Sequence, residues 1–232
     1  MKRLLLILVW TWYNAGIAQN SYYGSLGVSL VGDRPQFTET GSSISEASFK
    51  WFGFSGSFDF QTADKNGFSF EISTRTFGRS FAIAGPFGKL ERSKYGFQIG
   101  VGRVSVYHAF DLLSDKLHLE PRVGIAYANI IGDKGRDMSG KLSTANDSVR
   151  YWTETNYITR QYFLFCGGLS ADYSIAKRIR IGLFYNWNAG LKNVYVMKIY
   201  AAQNNDPLKS NTQTYNGTYS EFGCKLKYKL SS

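Results

Sequence analysis

No run of about 20 apolar residues occurs in this chain of 232, so no single helix within it can cross a bilayer core of about 30 Å. Cysteine is almost missing. Two residues, Cys166 and Cys224, cannot make a disulfide framework, and the alternation read below puts them on opposite faces of non-neighbouring strands, as free thiols. Histidine also numbers two, His108 and His118, and no CxxC, HExxH or phosphate-binding glycine loop occurs. Gly100 and Gly102 lack the strand-to-helix setting of a nucleotide loop and read as packing positions. The expected cofactor set is therefore empty, with no metal site and no catalytic residues. Acidic residues are the scarcer charge, 17 against 27 basic, for a net +10.

What is present begins with Lys2 and Arg3, the apolar run Leu4 to Trp12, and small residues Gly16 and Ala18 before Gln19. That is the pattern of a secretory signal over residues 1–18, cleaved after Ala18, leaving one domain over residues 19–232. A secreted chain has little occasion to meet nucleic acid, so its basicity points to anionic headgroups and lipopolysaccharide.

Glycine (24) and aromatic residues (16%) are plentiful while proline numbers 4, a composition that favours strands over disorder. The mature chain reads as eight runs of period two and no competing helical window: Ser21 to Gly32, Phe49 to Gln61, Gly67 to Phe77, Lys94 to Tyr107, Leu117 to Ile130, Thr159 to Tyr173, Lys177 to Asn188 and Thr218 to Leu230.

One face of the runs is apolar, as in Leu26, Val28 and Leu30, Phe52, Phe54 and Phe58, Phe97, Ile99 and Val101, or Phe222, Leu226 and Tyr228. The other holds small residues and scattered charges, including Ser25, Gly27 and Ser29, Gly100 and Gly102, and Glu221, Gly223, Lys225 and Lys227. Rows of glycine and serine suit a narrow lumen, whereas a soluble barrel would carry long solvated side chains on its outside. The apolar face is therefore expected to point outward into lipid. The connections agree, since the first, third, fifth and seventh are long and the second and sixth are tight, as in barrels with external loops and short periplasmic turns. A further hairpin hidden in Ala189 to Gly217 would raise the count to ten strands. Belts of aromatics are expected at both interfaces: Trp51, Tyr95, Tyr127, Trp187 and Tyr219 outside, Tyr22, Phe60, Tyr107, Tyr173 and Tyr228 at the periplasmic end.

Signal segment, alternating runs, long and short connections and the closing run Phe222 to Leu230 together resemble the small eight-stranded outer-membrane β-barrel proteins. The resemblance implies an all-β, antiparallel up-and-down transmembrane barrel in the bacterial outer membrane. It also implies delivery by the barrel-assembly machinery, contact with outer-membrane lipid and lipopolysaccharide, and a monomeric state.

Inward charges of both signs, Asp59, Glu71, Glu120, Asp172 and Glu221 against Arg75, Arg122, Arg178, Arg180 and Lys225, are expected to neutralise one another in the lumen. A carboxylate pair acting as acid and base finds no support in their spacing. Both histidines map to the periplasmic end, away from the outer leaflet, which disfavours a histidine-dependent enzyme acting on surface lipid. Lys89 and Arg92 in the second external connection, with Lys192 and Lys198 in the fourth, are positioned for lipopolysaccharide phosphates, although solvated surface charge is the plainer account of them. A structural or loop-mediated binding role is the expectation, with narrow or lateral solute passage and lipid A modification as the alternatives.

Overall fold

The computed structural model describes residues 20–33, 35–38, 44–45, 50–85, 88–133, 137–143, 147–204 and 206–231. The expected signal segment lies outside them. In chain order the strands are β1 (Ser21–Asp33), β2 (Gln36–Phe37), β3 (Ile44–Ser45), β4 (Trp51–Gln61), β5 (Asn66–Gly85), β6 (Gly88–His108), β7 (Phe110–Leu112), β8 (Leu117–Asp133), β9 (Ser139–Ser143), β10 (Ser148–Tyr157), β11 (Gln161–Ala176), β12 (Ile179–Gly190), β13 (Tyr195–Gln203), β14 (Lys209–Tyr215) and β15 (Tyr219–Ser231). No helix occurs among the described residues.

Eight of these close a circuit, β1-β4-β5-β6-β8-β11-β12-β15 and back to β1, with every pairing antiparallel. Closure leaves no unpaired edge, which is the condition for a sheet to stand in hydrocarbon. The outward face carries Leu26 (73% exposed), Phe52, Ile72, Val123, Phe163 and Leu183. An apolar girdle this continuous would aggregate in water and is satisfied by lipid. Where strands cross tightly the chain has glycine: a Cβ on Gly124 would run into the Val104 carbonyl, and one on Gly223 into that of Val28. Gly102, in contrast, faces open space.

The long external connections carry strands of their own among the described residues. β5 and β6 continue past the barrel as a 20- and 21-residue hairpin. β2, β14, β13, β10 and β9 form a second, five-stranded antiparallel sheet from the first, third and fourth external connections. The suspected hairpin between Ala189 and Gly217 therefore exists as β13 and β14, but it joins this outer sheet and the barrel keeps eight strands.

Three expectations about side-chain direction are corrected. On β6 the faces are reversed: Phe97, Ile99 and Val101 are buried inward with Arg103, Ser105 and Tyr107, while Val104 and Val106 face out and Gly100 and Gly102 share their face. The cause is the filling of the upper lumen, which is apolar, so that the apolar-outward rule fails there. Irregular register at Phe77/Gly78 and Gln98/Ile99 accompanies the change. Tyr219 and Tyr107 are not belt residues, being 0% and 5% exposed and turned inward, on the same strand faces as Glu221 and Arg103. Trp51 is half-buried over Gly78. Tyr127, Trp187, Tyr22, Tyr173 and Tyr228 are exposed on the outward face.

At the periplasmic end, β4 and β5 are joined by a tight turn in which Lys65 has φ 65°. The short β7 lies on β8 and is joined to it through Leu113, Ser114 and Asp115, three consecutive residues with φ 52°, 55° and 65°. Left-handed backbone costs a non-glycine residue about 1–2 kcal/mol, so this turn is held by its surroundings rather than by local preference.

Candidate functional site

The lumen is built in layers, because inward side chains of adjacent strands meet at matched heights. Nearest the outer mouth is an apolar plug. Phe77 and Phe97 stack at 5.4 Å between ring centroids, Tyr219 meets Phe77 edge-on at 5.3 Å, and Tyr195 meets Phe97 at 5.7 Å. Met197, Ile199 and Val194 from β13 and the segment before it complete the contact between barrel and outer sheet, all at 0% exposure.

Below it lie two arginines and two glutamates in a ring. Arg75 donates through Nε to Glu221 (2.5 Å) and through Nη2 to Glu71 (3.2 Å), and Arg103 donates to Glu71 (3.1 Å) and Glu221 (2.8 Å). Arg103 also reaches Asn188 Oδ1 at 2.9 Å, and Asn186 donates to Glu221 at 2.9 Å. A second ring closer to the periplasm sets Lys225, Lys227 and Arg122 against Asp59, Glu120 and Asp172. Lys227 Nζ lies 2.7 Å from Glu120, 3.1 Å from Asp59 and 3.5 Å from Asp172; Lys225 Nζ lies 3.1 Å from Asp172, and Arg122 donates to Glu120 at 3.0 Å. Ser69 and Ser170 donate to Asp59 and Asp172. The Tyr23 and Tyr107 rings cover Lys227 at 4.9 and 5.5 Å, and Arg180 lies over Tyr23 at 4.8 Å while donating to its hydroxyl. Each ring balances its charges, which is how ionised groups become tolerable away from water.

Of the ten lumen charges expected from sequence, nine stand in the barrel at these positions. Arg178 does not: it is exposed in the turn between β11 and β12, where its carbonyl accepts from the Lys229 amide. Arg103 escapes the sequence reading because alternation assigns the faces of β6 in reverse. Lys227, though assigned to the inward face, is absent from the expected charge set. Cys166 is buried inward, Cys224 faces outward, and both are free.

The outer sheet has one face on the plug and one exposed. On the exposed face Trp152 and Tyr200, cross-strand partners on β10 and β13, stack at 5.2 Å with an interplanar angle of 16°. Arg150 and Lys198 flank the pair on alternating positions of the same strands, Lys141 lies opposite Arg150 on β9, and the Tyr200 hydroxyl donates to Glu154 at 3.3 Å. Burial of the ring and the Glu154 carboxylate beside it hold the Tyr200 hydroxyl above its usual pKa. Of the cations expected to meet lipopolysaccharide, Lys198 is exposed here and Lys192 is exposed in the connection before β13. Lys89 is exposed on the β5–β6 hairpin, 3.1 Å from Glu91. The side chain of Arg92 lies outside the described residues.

No family model matches the chain, and no curated protein matches it in sequence. Among solved structures, Neisserial surface protein A matches with a TM-score of 0.50 at 12% identity, covering 91% of this chain and 99% of that one. The fold is that of a small outer-membrane β-barrel. OprG from Pseudomonas aeruginosa (TM-score 0.43, 10% identity, 91% and 96% covered) and a major outer membrane protein from Thermus thermophilus (0.47, 7%, 91% and 99%) also match. At these identities the likeness extends to the fold alone. Within the barrel no group of three or more His, Cys, Asp or Glu side chains is arranged for a metal among the described residues.

Proposed function

We propose that this chain is an integral outer-membrane protein that binds partners through its folded external sheet and passes no solute through its lumen. The sheet carries this reading: three separate external connections converge on it, it buries one face in a core continuous with the barrel's apolar plug, and its exposed face sets an aromatic pair among Lys141, Arg150 and Lys198. A segment meant only to join strands needs no such core. The cations suit phosphate groups of lipopolysaccharide, and Lys89 and Lys192 extend the same charge around the external part. Two balanced charge rings beneath an apolar plug support a closed lumen, since an eight-stranded barrel is just wide enough to be filled by its own side chains.

The test compares binding of intact and dephosphorylated lipopolysaccharide to the refolded chain and to K198A and W152A variants. Tighter binding of the phosphorylated form, weakened about 5-fold or more by K198A, supports the reading; equal binding of both forms to all three proteins sinks it. Planar-bilayer recording addresses the closed lumen separately, with no unitary conductance expected.

A further inference from the structure

A second constellation stands at the periplasmic mouth. Asp111 and His118 are directly opposed on the β7–β8 ladder, and Ser174 comes from the end of β11, two residues beyond the partner of His118 on that strand. His118 Nδ1 lies 2.5 Å from Asp111 Oδ1, and His118 Nε2 lies 3.0 Å from Ser174 Oγ. The other oxygen of Asp111 is 2.8 Å from Lys65 Nζ. A single tautomer satisfies both contacts, with Nδ1–H donating to the carboxylate and Nε2 accepting from the hydroxyl. His118 is 4% exposed, while Ser174 is only half-buried.

The backbone supports the same spot. The three left-handed residues 113–115 join the strands that carry Asp111 and His118, and strain of this kind gathers where function requires a geometry. The β11–β12 register passes from Ser174↔Arg180 to Ala176↔Ile179, skipping Ile175, a bulge of the sort that re-aims a side chain.

We propose that Ser174, His118 and Asp111 form a nucleophilic site that cleaves carboxylic esters at the periplasmic face. Ser174 Oγ attacks the acyl carbon as its proton passes to His118 Nε2, and Asp111 holds the ring and stabilises the imidazolium. The ester C–O bond then breaks, the alcohol leaves with the proton from His118, and the acyl group stays on Ser174. Water hydrolyses that acyl-serine, giving its proton to His118, and the products are a carboxylic acid and the original hydroxyl. No redox partner or metal is needed. The backbone amide of Ile175 follows the nucleophile, the position from which an oxyanion donor commonly comes. For substrate, the rim sets exposed Phe110, Leu112, Leu113 and Ile175 beside Lys116 and Lys177, apolar groups for acyl chains next to cations for a phosphate. That pairing fits a glycerophospholipid of the inner leaflet.

The full chain, refolded into vesicles of phosphatidylethanolamine and phosphatidylglycerol and shown to be closed by its heat-shifted electrophoretic band, is treated with a fluorophosphonate probe. An adduct mapped to Ser174, lost in H118A, and fatty-acid release lowered about 100-fold or more in S174A and H118A are expected. A polar cluster with a purely structural role yields no adduct, and its absence from the closed barrel overturns the proposal. An adduct on Ser174 without fatty-acid release overturns the phospholipid assignment. Should the variants fail to close, adduct mapping on the unmodified chain decides alone.

Discussion

Lys227 Nζ stands within 3.5 Å of three carboxylates, those of Glu120, Asp59 and Asp172, with the Tyr23 and Tyr107 rings against it. One ammonium on β15 thus ties together β4, β8 and β11, none of which is hydrogen-bonded to β15.

Removing it should be costly. K227M keeps the stem volume but strips the balance from the lower ring, leaving an excess negative charge where water has little access. Loss of one partner from a buried ion pair destabilises by about 3–5 kcal/mol. Denaturant unfolding in lipid vesicles, followed by the heat-shifted band, should show a midpoint well below that of the unmodified protein. An unchanged midpoint would mean that the lower ring is hydrated.

The apolar plug couples barrel to sheet through Phe97, which touches Phe77, Tyr195 and Tyr215. F97A removes a fully buried ring, at a cost of about 3–5 kcal/mol if the site does not collapse. Because Phe97 sits above both charge rings, the effect should fall on the external part: amide exchange in β13 and β14 accelerates, while that of β1 and β15 stays as before.

Two glycines separate packing from mere smallness. G124A forces a methyl into the backbone of β6 and should prevent or slow closure, whereas G102A points into open space and should close normally. Refolding yield into vesicles for the two variants gives a direct comparison, and equal yields would contradict the close approach of β8 to β6.

The Asp111 carboxyl is subject to burial, which raises its pKa, but the hydrogen bonds from Lys65 and His118 outweigh that and hold it below its ordinary value. A depressed carboxylate contributes stability above its unfolded pKa of about 3.9 and loses it as the pH falls through the folded value. The β7–β8 turn should therefore loosen first on acidification below about pH 4. Amide exchange over residues 110–118, corrected for intrinsic rates, should rise there ahead of the barrel strands, and D111N should show the loosened turn already at pH 6.

Much of the barrel is legible because lipid imposes period-two alternation on every strand, and Leu26, Phe54, Ile125 and Leu183 follow it without exception. The rule fails where its premise does. Around Phe97 the interior is itself apolar, so alternation no longer tells inside from outside, and Arg103 is hidden as a result. The outer sheet is only partly legible: a hairpin in Ala189 to Gly217 is suspected from the sequence, but β10, which buries Val149 and Thr153 between exposed polar residues, reads as a solvated connection, and nothing local shows that the two segments pair. Ser174 lies 56 residues from His118, and although their strands are consecutive in the barrel, the register of β11 on β8 that sets the two side chains together is not legible in the sequence.

β5 and β6 are each about twice the 9 to 11 residues a strand needs to cross the bilayer, so some ten residues of each stand above it, roughly 34 Å of ladder at about 3.4 Å per residue. The molecule is in this respect a mast. Whatever approaches the cell from outside, whether a protease, an antibody or a phage tail, meets the raised sheet before it meets headgroups, and enzymatic shaving of intact cells would cut the superstructure away while leaving the hull of the barrel in the membrane.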